Sequence, residues 1–432
     1  MSNSRENYLR LDSNENLWGP SPRALEALRN LSGATISSYP HTDEFIEALS
    51  ESLDLPKESL LLTNGSDEGL EFIISESVKP DEEVIIPEPS FSMFDILCDR
   101  VGARILKVPY GENYAFPEQE LGDAISDRTK LVIIANPNNP TGTLATRKQL
   151  ETLIVRFPKT TFLLDEAYGE FSGINNMELV KRYSNVIITR TFSKAYGLAG
   201  LRLGYVVSQP ENISRLTGVM PYNVNQAAIA AGVASLKDTL YLERYVLAVR
   251  DARNKLQAAL RQMGYTVFLS EANFLLVDFG PEASAIARKL KERGVLVRDF
   301  SQGRSTQNCL RVTVGTENEV DAFLISLEAI LSSPDAFLFD MDGVLIDESQ
   351  SYRLCIKKTV ESFLKKEVSL QEIDALKKRG GVNNDYDCVE ALLKQYELTV
   401  DRSQMIRTFQ SYYFGECVQN ERWIFPLSLL KR

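Results

Sequence analysis

The sequence predicts an α/β fold with a mostly parallel central sheet, a smaller α+β domain and a mainly helical carboxy-terminal fragment. Two observations predict the sheet. Its short apolar runs are continuous rather than alternating, as in strands that are buried on both faces. Helical or loop segments separate these runs, as parallel strands require. The predicted strands span residues 60–62, 84–86, 105–108, 131–135, 162–164, 186–188 and 205–207.

Taken in order, the chain divides into four segments. Residues 1–35 form an arm, rich in Asx and proline, that leads into a helix near Pro22 and completes part of the small domain. Residues 36–235 form the large domain, and residues 236–333 form the small domain. The pattern breaks at Pro334, so residues 334–432 are predicted to be separate. A helical region is predicted from residue 226 to about 262, as a spacer before the strands of the small domain. These strands are predicted at 266–269, 274–278, 295–298 and 310–314.

Composition excludes several classes of function. The net charge is −11, from 48 basic and 59 acidic residues, and no basic block stands out, so we expect no nucleic-acid partner. No apolar run approaches the ~18 residues of a membrane helix, and the amino terminus lacks a signal core, so we expect a cytoplasmic protein. His41 is the one histidine, and the five cysteines form no CxxC pair. We therefore expect neither a metal centre nor a histidine general base.

Polar clusters follow the predicted strands, where ligands bind in sheets of this kind. Gly65-Ser66-Asp67 lies at a strand-to-helix junction, which suits either an anion or a plain helix cap. Residues 136–142 and 165–168 follow two further strands. Residues 191–194 follow a third, and they place two hydroxyl groups beside a lysine. An arginine eight residues later completes a set that suits an anionic ligand, with the lysine free for covalent chemistry.

Together these clusters match the needs of one cofactor, pyridoxal phosphate. Its aldehyde needs a lysine, and its ring nitrogen needs a carboxylate to hold a proton there. Its phosphate needs hydroxyl groups, backbone amides and an arginine. Taken singly, each cluster is an ordinary turn or strand end, but their order and setting together favour the cofactor.

The stretch from residue 8 to residue 330 resembles the fold-type I pyridoxal-phosphate aminotransferases, and among them the histidinol-phosphate aminotransferases. The motifs that carry the resemblance include Asn-Pro-Thr-Gly at 139–142, Asp-Glu-Ala-Tyr at 165–168 and the run from Arg190 to Val207. The resemblance implies a transfer in two stages, from histidinol phosphate to the cofactor and then to 2-oxoglutarate. Three alternatives remain open, namely an aromatic amino-acid aminotransferase, a threonine-phosphate decarboxylase and, with less support, a regulatory protein that binds the cofactor.

The resemblance also implies roles for individual residues. Lys194 would bind the cofactor covalently and then carry protons, while Asp165 would pair with the ring nitrogen. Phe91 would stack on the ring. Tyr39 would reach the phosphate bound in a neighbouring subunit, which implies a homodimer, although Phe91 and Tyr39 could also be ordinary core aromatics. Asn139 and Tyr168 would bond the ring hydroxyl, and Gly65, Ser66, Asp67, Thr191, Ser193 and Arg202 would hold the phosphate.

Substrate recognition is expected to depend on two arginines. The resemblance implies that Arg298 and Arg311 grip the phosphate of the donor, and that Arg311 binds a carboxylate of 2-oxoglutarate. Planar guanidinium groups match phosphate oxygens well. A surface salt bridge with Asp299 or a neighbour is the alternative for Arg298. Asn16 of the arm is also expected to contact the substrate.

The carboxy-terminal fragment carries a different signature. Residues 337–345 read Phe-Leu-Phe-Asp-Met-Asp-Gly-Val-Leu and resemble the first motif of haloacid-dehalogenase-type phosphatases. That resemblance implies a nucleophile at Asp340 and an acid/base at Asp342, with Mg²⁺ between them and a phosphate. Later residues, including 380–385, resemble the cap of that family. The remaining motifs are not found, so we expect a truncated domain without phosphatase activity.

Overall fold

The computed structural model describes residues 5–216, 224–332, 346–347, 351–380, 382 and 384–423. The chain divides into two compact units, residues 1–333 and residues 334–432. In the first unit the strands are β1 (Leu9–Leu11), β2 (Leu60–Thr63), β3 (Glu83–Glu88), β4 (Arg104–Pro109), β5 (Thr129–Ala135), β6 (Thr161–Asp165), β7 (Val186–Thr191), β8 (Gly204–Val207), β9 (Thr266–Val267), β10 (Phe274–Asp278), β11 (Val295–Asp299) and β12 (Cys309–Thr313).

The helices of the first unit surround two sheets. They are α1 (Pro22–Arg29), α2 (Gly33–Ser37), α3 (Asp43–Leu53), α4 (Ser66–Ser77), α5 (Met93–Arg100), α6 (Glu118–Ala124), α7 (Arg147–Arg156), α8 (Gly169–Ser172), α9 (Met177–Arg182), α10 (Pro210–Leu216), α11 (Gln226–Leu236), α12 (Thr239–Gln262), α13 (Ala283–Glu292) and α14 (Glu317–Leu331).

The larger sheet has seven strands in the order β2-β8-β7-β6-β5-β3-β4. Strands β3 to β7 run parallel to their neighbours among themselves, and β8 runs antiparallel to both β2 and β7. The predicted, mostly parallel sheet is therefore confirmed. In the ladder Ala135 pairs with Asp165, and Asp165 pairs with Thr189, so β5, β6 and β7 end at one edge.

Burial explains why these strands are continuously apolar. On β5, Val132 and Ile134 pack into the core on one face of the sheet, and Leu131 and Ile133 pack into the core on the other. All four side chains are completely buried. Because successive residues of a strand point to opposite faces, a strand covered on both sides needs apolar residues throughout.

The smaller sheet has five strands in the order β1-β11-β12-β10-β9. It is antiparallel except for β1, which runs parallel to β11 and brings the amino-terminal arm to this domain. The ladder pairs Arg298 on β11 directly with Arg311 on β12. The strand predicted for residues 266–269 is shorter in the structure, because β9 ends at Val267. The predicted helical region after residue 226 consists of two helices, which meet at Lys237 and Asp238.

The second unit is mainly helical. Its helices are α15 (Tyr352–Leu364), α16 (Leu370–Arg379), α17 (Asp385–Gln395) and α18 (Arg402–Tyr412), and strands β13 (Ile346–Asp347) and β14 (Arg422–Trp423) pair antiparallel. A buried cluster that includes Cys355, Ile356, Val389 and Leu392 forms its core. Asp340 and Asp342 lie outside the described residues. Within the described parts of the chain, no helix is both long and apolar enough to cross a membrane.

Candidate active site

A cavity of about 420 Å³ lies where the carboxyl ends of β5, β6 and β7 face the arm and the smaller sheet. Twelve of the predicted site residues line it, namely Ser66, Asp67, Phe91, Asn139, Asp165, Tyr168, Thr191, Ser193, Lys194, Arg202, Arg298 and Arg311. Asn16, Tyr39 and Gly65 do not line this cavity. The arm residues 12–15 also line it, and the sequence analysis had assigned them no role.

One end of the cavity begins at α4. Its capping residue Gly65 has a positive φ of 81° and offers no side-chain bond to the helix. The first N–H groups of a helix have no partner within the helix, so those of Ser66 and Asp67 can bind an anion. A Cβ atom on Gly65 would lie 2.4 Å from Nη2 of Arg202, which shows how closely that guanidinium approaches the backbone. This position therefore needs glycine for both conformation and space.

Arg202 reaches this end from an unusual backbone conformation. Its φ of 54° lies in the left-handed region, which costs a residue with a side chain on the order of 1–3 kcal/mol. Nη1 donates to Oγ of Ser193 at 3.3 Å, and Nη2 donates to Oδ2 of Asp67 at 3.1 Å. Thr191 in turn accepts from the Ser193 amide at 3.1 Å and donates to its hydroxyl at 2.9 Å. Hydroxyl groups, helix amides and an arginine thus converge on one point, as a phosphate requires.

Asp165 lies at the carboxyl end of β6, and only 5% of it is exposed. Burial raises its pKa to about 7, although the bond from the Thr189 hydroxyl, at 3.0 Å, and a backbone bond from Ala167 lower it. No ion pair joins this carboxylate to a cation among the described residues. A buried acid in this position is suited to a cationic ligand atom, because such a partner would keep it ionised.

Lys194 follows β7 and is half-buried. Its Nζ donates to the backbone oxygen of Ser13 at 2.9 Å and lies 5.8 Å from the centre of the Tyr168 ring. The hydroxyl of Tyr168 accepts from Nδ2 of Asn14 at 3.0 Å, and its ring packs edge-on against Phe274. The arm therefore contacts both the ammonium group of Lys194 and the hydroxyl of Tyr168, and the smaller sheet packs against the tyrosine ring.

The arm is attached by bonds that the sequence analysis missed. Asn14 is buried with a φ of 55°, and Thr313 on β12 accepts from its amide at 3.0 Å and donates to its side chain at 2.9 Å. Asn16, which is predicted to contact the substrate, does not line the cavity. Its side chain donates to the Ala195 carbonyl at 2.9 Å and accepts from the amides of residues 18 and 19, so it holds the arm against the lysine loop. Only the asparagine-rich composition of the arm hinted at these bonds.

The two substrate arginines face each other across the β11–β12 ladder. Arg311 is 6% exposed, and its partners are the side-chain oxygen of Asn139 at 2.6 Å and the Asp12 carbonyl at 2.7 Å. Both partners are uncharged, and its buried Nε has no partner. Burial lowers the pKa of Arg311, and the charge of Arg298 lowers it further.

Arg298 is exposed, and no ion pair or hydrogen bond joins its side chain to another described residue. Asp299, the predicted alternative partner, instead accepts from Ser284 at 2.9 Å and from the Ser301 amide at 2.8 Å. Like charges directly opposite in an antiparallel pair are destabilising. Two facing guanidinium groups that form no ion pair with a described carboxylate are suited to an anion.

Two aromatic residues complete the predicted set. Phe91 lines the cavity and packs edge-on against Phe94 with ring centres 5.7 Å apart. The side chain of Tyr39 is 76% exposed and lies outside the cavity of its own chain. The structure thus brings together the residues assigned to the cofactor within one chain, and it leaves Tyr39 on the surface.

The residues present fit pyridoxal phosphate. The buried acid Asp165 suits the ring nitrogen, and Lys194 lies beside it at the end of the adjacent strand. Arg202, the two hydroxyl groups and the start of α4 offer donors for the phosphate. The close approach of Arg202 to Gly65 leaves no room for a side chain at this end of the cavity.

Comparison with known proteins identifies similar chains. The family described as aminotransferase class I and II matches residues 6–327. The histidinol-phosphate aminotransferase of Symbiobacterium thermophilum is 38% identical over 329 residues, which are 75% of this chain and 90% of the relative. The solved histidinol-phosphate aminotransferase of Sinorhizobium meliloti, in complex with pyridoxal-5′-phosphate, has a TM-score of 0.69 at 27% identity, covering 74% of this chain and 91% of that chain.

A solved L-threonine-O-3-phosphate decarboxylase from Porphyromonas gingivalis is also similar. Its TM-score is 0.65 at 25% identity, and the match covers 75% of this chain and 99% of that chain. The family match ends at residue 327, before the second compact unit begins at residue 334.

Proposed function

The chain belongs to the class I and II aminotransferases and uses pyridoxal 5′-phosphate, and we propose that its amino donor is histidinol phosphate. The reaction would convert histidinol phosphate and 2-oxoglutarate into imidazole-acetol phosphate and glutamate, a step in histidine biosynthesis. The observation that carries this assignment is the facing pair Arg298 and Arg311. Both line the cavity, and no carboxylate of the described residues pairs with either of them.

A phosphorylated amino alcohol has one strongly anionic group, its phosphate. The two guanidinium groups offer a doubly charged site for this group, and Arg311 offers it with little competition from water because it is buried. The amine of the donor would then lie toward Lys194, which lines the same cavity. Binding the remote phosphate thereby orients the reacting end of the donor.

When bound, pyridoxal phosphate supplies an electron sink that stabilises a carbanion at the reacting carbon. Lys194 would hold the cofactor covalently at rest, and its freed amine would move the proton between the donor carbon and the cofactor. Asp165 would keep the ring nitrogen protonated, which makes the sink effective. Asn139 and Tyr168 would bond the ring hydroxyl, Phe91 would cover the ring, and Gly65, Ser66, Asp67, Thr191, Ser193 and Arg202 would hold the phosphate.

In the second stage the same site would bind 2-oxoglutarate. Arg311 is better suited to a carboxylate than Arg298, because its buried guanidinium already donates two hydrogen bonds to carbonyl oxygens. Arg298, being exposed, would contribute less to a dicarboxylate than to a doubly charged phosphate. Asn16 is proposed to contact the substrate, and its bond to the Ala195 carbonyl would hold the arm beside the lysine loop.

Two further enzymes of this fold are the competing functions. An aromatic amino-acid aminotransferase requires one arginine for the α-carboxylate, and a second arginine facing the first one fits it less well. A threonine-phosphate decarboxylase also binds a phosphate, and a solved example resembles this chain at 25% identity. Sequence identity of 38% to a histidinol-phosphate aminotransferase favours the transaminase.

A spectral experiment tests the proposed function. The purified protein should be yellow. Histidinol phosphate should bleach the visible band, because the cofactor accepts the amino group of this donor. Phenylalanine, tyrosine and O-phosphothreonine at the same concentration are the comparisons. Faster bleaching by phenylalanine or tyrosine would remove the donor assignment, and release of CO₂ from O-phosphothreonine would favour the decarboxylase. Neither result would affect the cofactor.

The enzyme is also proposed to be a homodimer in the cytoplasm, with Tyr39 of each subunit reaching the cofactor phosphate of the other. Tyr39 is exposed and remote from the cavity of its own chain, which supports this arrangement. Light scattering should give twice the mass of the chain. A hybrid dimer can be formed from one Lys194→Ala subunit and one Tyr39→Phe subunit. If the sites are shared, both substitutions fall in the same site of this dimer, and the other site is intact.

The domain division at residues 35, 235 and 333 is likewise proposed, and residues 334–432 are assigned no phosphatase activity in this chain. Support for the last point comes from the sequence, in which the first motif is not followed by the later ones. Mg²⁺-dependent hydrolysis of a phosphate monoester that Asp340→Asn abolishes would contradict this assignment, and Asp342→Asn would then identify the acid/base.

A further inference from the structure

A buried ionic cluster lies directly behind the strand ends that carry the cofactor residues. Nε and Nη2 of Arg190 donate to Oε2 of Glu166 at 3.0 Å and 2.7 Å, and Nη1 lies 3.8 Å from Oε1 of Glu170. The three side chains are 11%, 1% and 9% exposed. The guanidinium of Arg190 donates two hydrogen bonds to one carboxylate oxygen in a buried place. This geometry fixes the distance between β7, which carries Arg190, and the end of β6, which Glu166 follows.

The other groups around this cluster are uncharged. Nδ2 of Asn176 donates to the second oxygen of Glu166 at 2.7 Å. Tyr205 is the partner of Arg190 across the β7–β8 ladder, and the charge of Arg190 acts on the phenols of both Tyr205 and Tyr196. Burial raises the pKa of both phenols, so both stay neutral. The charged side chains of this cluster are therefore Arg190, Glu166 and Glu170, and Asp165, on which the charge of Asp67 also acts, is next to Glu166 in sequence.

Glu170 is the third charged member of the cluster. Burial raises the pKa of its carboxyl, and the charge of Arg190 opposes that shift. Its Oε2 is buried and has no hydrogen-bond partner. Glu166, with three bonds to its oxygens, is thus the better partner of Arg190, and Glu170 is the weaker one.

The connection of this cluster to the cofactor site is short. Glu166 follows Asp165 directly, and its amide donates to the Thr189 carbonyl at 2.9 Å. Arg190 is the residue between Thr189 and Thr191, and Lys194 lies four residues beyond it. A Cβ on Gly169 would lie 3.2 Å from Nη2 of Arg190, so the turn after β6 also packs on the guanidinium. One side chain thus ties the strand that carries Asp165 to the strand that leads to Lys194.

We propose that Arg190 is a positioning residue for the cofactor: through Glu166 it fixes Asp165 relative to Lys194, and its charge offsets that of Glu166 beside the ring nitrogen. This inference rests on the proposed roles of Asp165 and Lys194, and it is independent of which donor the enzyme uses. Burial makes Asp165 harder to ionise, and the charges of Asp67 and, to a smaller extent, Glu166 act in the same direction. A cation that pairs with Glu166 offsets the part that comes from Glu166.

A purely structural ion pair would behave differently. Breaking it would lower the stability of the fold, and it would leave the ionisation of a bound cofactor unchanged. The charge argument predicts opposite effects from the two partners. Without the cation, the uncompensated charge of Glu166 stabilises the protonated forms of the site. Without the carboxylate, the remaining charge of Arg190 destabilises them.

The experiment follows the pH midpoint of the cofactor's visible band in the holoenzyme, with no substrate added. Arg190→Gln should move the midpoint up by about half a pH unit or more, and Glu166→Gln should move it down by a similar amount. The double variant should return close to the unaltered value. Arg190→Lys keeps the charge and loses the fork, so it should leave the midpoint near its original value while weakening cofactor binding on the order of tenfold.

Arg182→Gln is the matched control, because Arg182 makes an exposed ion pair with Glu151 at 2.6 Å and should change neither quantity. Shifts of the same sign in both single variants, or no shift in either while the melting temperature falls, would overturn the inference. Should Arg190→Gln fail to fold, Glu166→Gln and Arg190→Lys decide between the outcomes alone. A missing visible band in the unaltered protein would instead contradict the proposed covalent role of Lys194.

Discussion

The two ends of the cavity differ in how their cations are balanced. At the cofactor end Arg202 pairs with Asp67, and behind it Arg190 pairs with Glu166. At the substrate end the hydrogen-bond partners of the Arg311 side chain are uncharged oxygens, and no described carboxylate forms an ion pair with Arg298. The cofactor end lies on the parallel sheet, and the substrate end lies on the antiparallel one.

This difference matches the residence time of the two ligands. A cofactor that stays bound can be held by groups that are already fixed in place by their neighbours. A substrate binds and leaves in every turnover. The cations of its site should therefore form no ion pair with a carboxylate of the protein, so that the substrate can neutralise them. The arm occupies both places with backbone oxygens, from Asp12 at Arg311 and from Ser13 at Lys194. These oxygens are weaker partners than a phosphate, so a ligand can displace them.

The largest effect is expected from removing the covalent group at the cofactor end. Lys194→Ala should abolish bleaching by histidinol phosphate, with a loss of about 10⁴-fold or more in the single-turnover rate. Rapid mixing with excess donor measures it. Lys148→Ala, which changes an exposed lysine on α7, is the control. Turnover retained by Lys194→Ala would contradict the mechanism.

The next largest effect separates the two arginines of the substrate end. Arg311→Gln should lower kcat/KM for histidinol phosphate by roughly 10²–10³-fold, because it removes a buried charge from the phosphate site. Arg298→Gln, at an exposed position, should cost about tenfold for this donor and less for 2-oxoglutarate. Steady-state kinetics with each substrate varied in turn measure both. Equal losses for the two variants would contradict the distinction, and Arg293→Gln serves as the control.

A smaller effect is expected at the glycine that Arg202 approaches closely. Gly65→Ala places a Cβ where Nη2 of Arg202 now lies, so the guanidinium must move away from Ser193 and Asp67. The dissociation constant of the cofactor should rise roughly 10–100-fold. Gly264→Ala is a matched control, since Gly264 also has a positive φ but open space around it. Equal cofactor affinity in both variants would mean that backbone strain alone matters.

The smallest effect is a pH dependence of the stability of the cofactor-free enzyme. The pKa of Asp165 is raised in the folded state to about 7 from an ordinary 3.8, so folding favours its protonated form. Its contribution to stability is present at low pH and is lost as the pH rises toward 7. The loss between pH 5 and 7 should be on the order of 2 kcal/mol, and Asp165→Asn should remove it.

Urea unfolding of the cofactor-free protein at several pH values measures this slope. The cofactor-bound enzyme should show less of it, because the protonated ring nitrogen gives Asp165 a cationic partner. An identical slope in Asp165→Asn and in the unaltered protein would show that another group is responsible.

The parallel sheet was predictable because its strands are buried on both faces and therefore apolar throughout. The positions of Ser66, Asp165 and Lys194 followed from the same pattern, since each lies at the end of one of these strands. The arm was harder to predict. Its contacts with Lys194 and Arg311 use backbone carbonyls, which leave no signature in the side chains.

Other differences arise from the direction in which a side chain points. A motif indicates that Asn16 lies near the site, but its side chain turns toward the Ala195 carbonyl and away from the cavity. The pair of Arg190 and Glu166 was hidden because charged residues within a strand or next to it usually face solvent. Only the hydrogen bonds between the two side chains show that they lie together, each next in sequence to a residue predicted to bind the cofactor.

The central claim is that the two facing arginines select a phosphorylated donor. Its most direct test compares the bleaching rates of histidinol phosphate and of histidinol, which lacks the phosphate, in the unaltered enzyme and in the Arg298→Gln/Arg311→Gln double variant. We expect the unaltered enzyme to prefer the phosphorylated donor by at least about 10³-fold, and the double variant to lose nearly all of that preference. A preference that survives the double substitution would show that the phosphate is bound elsewhere and would contradict the account.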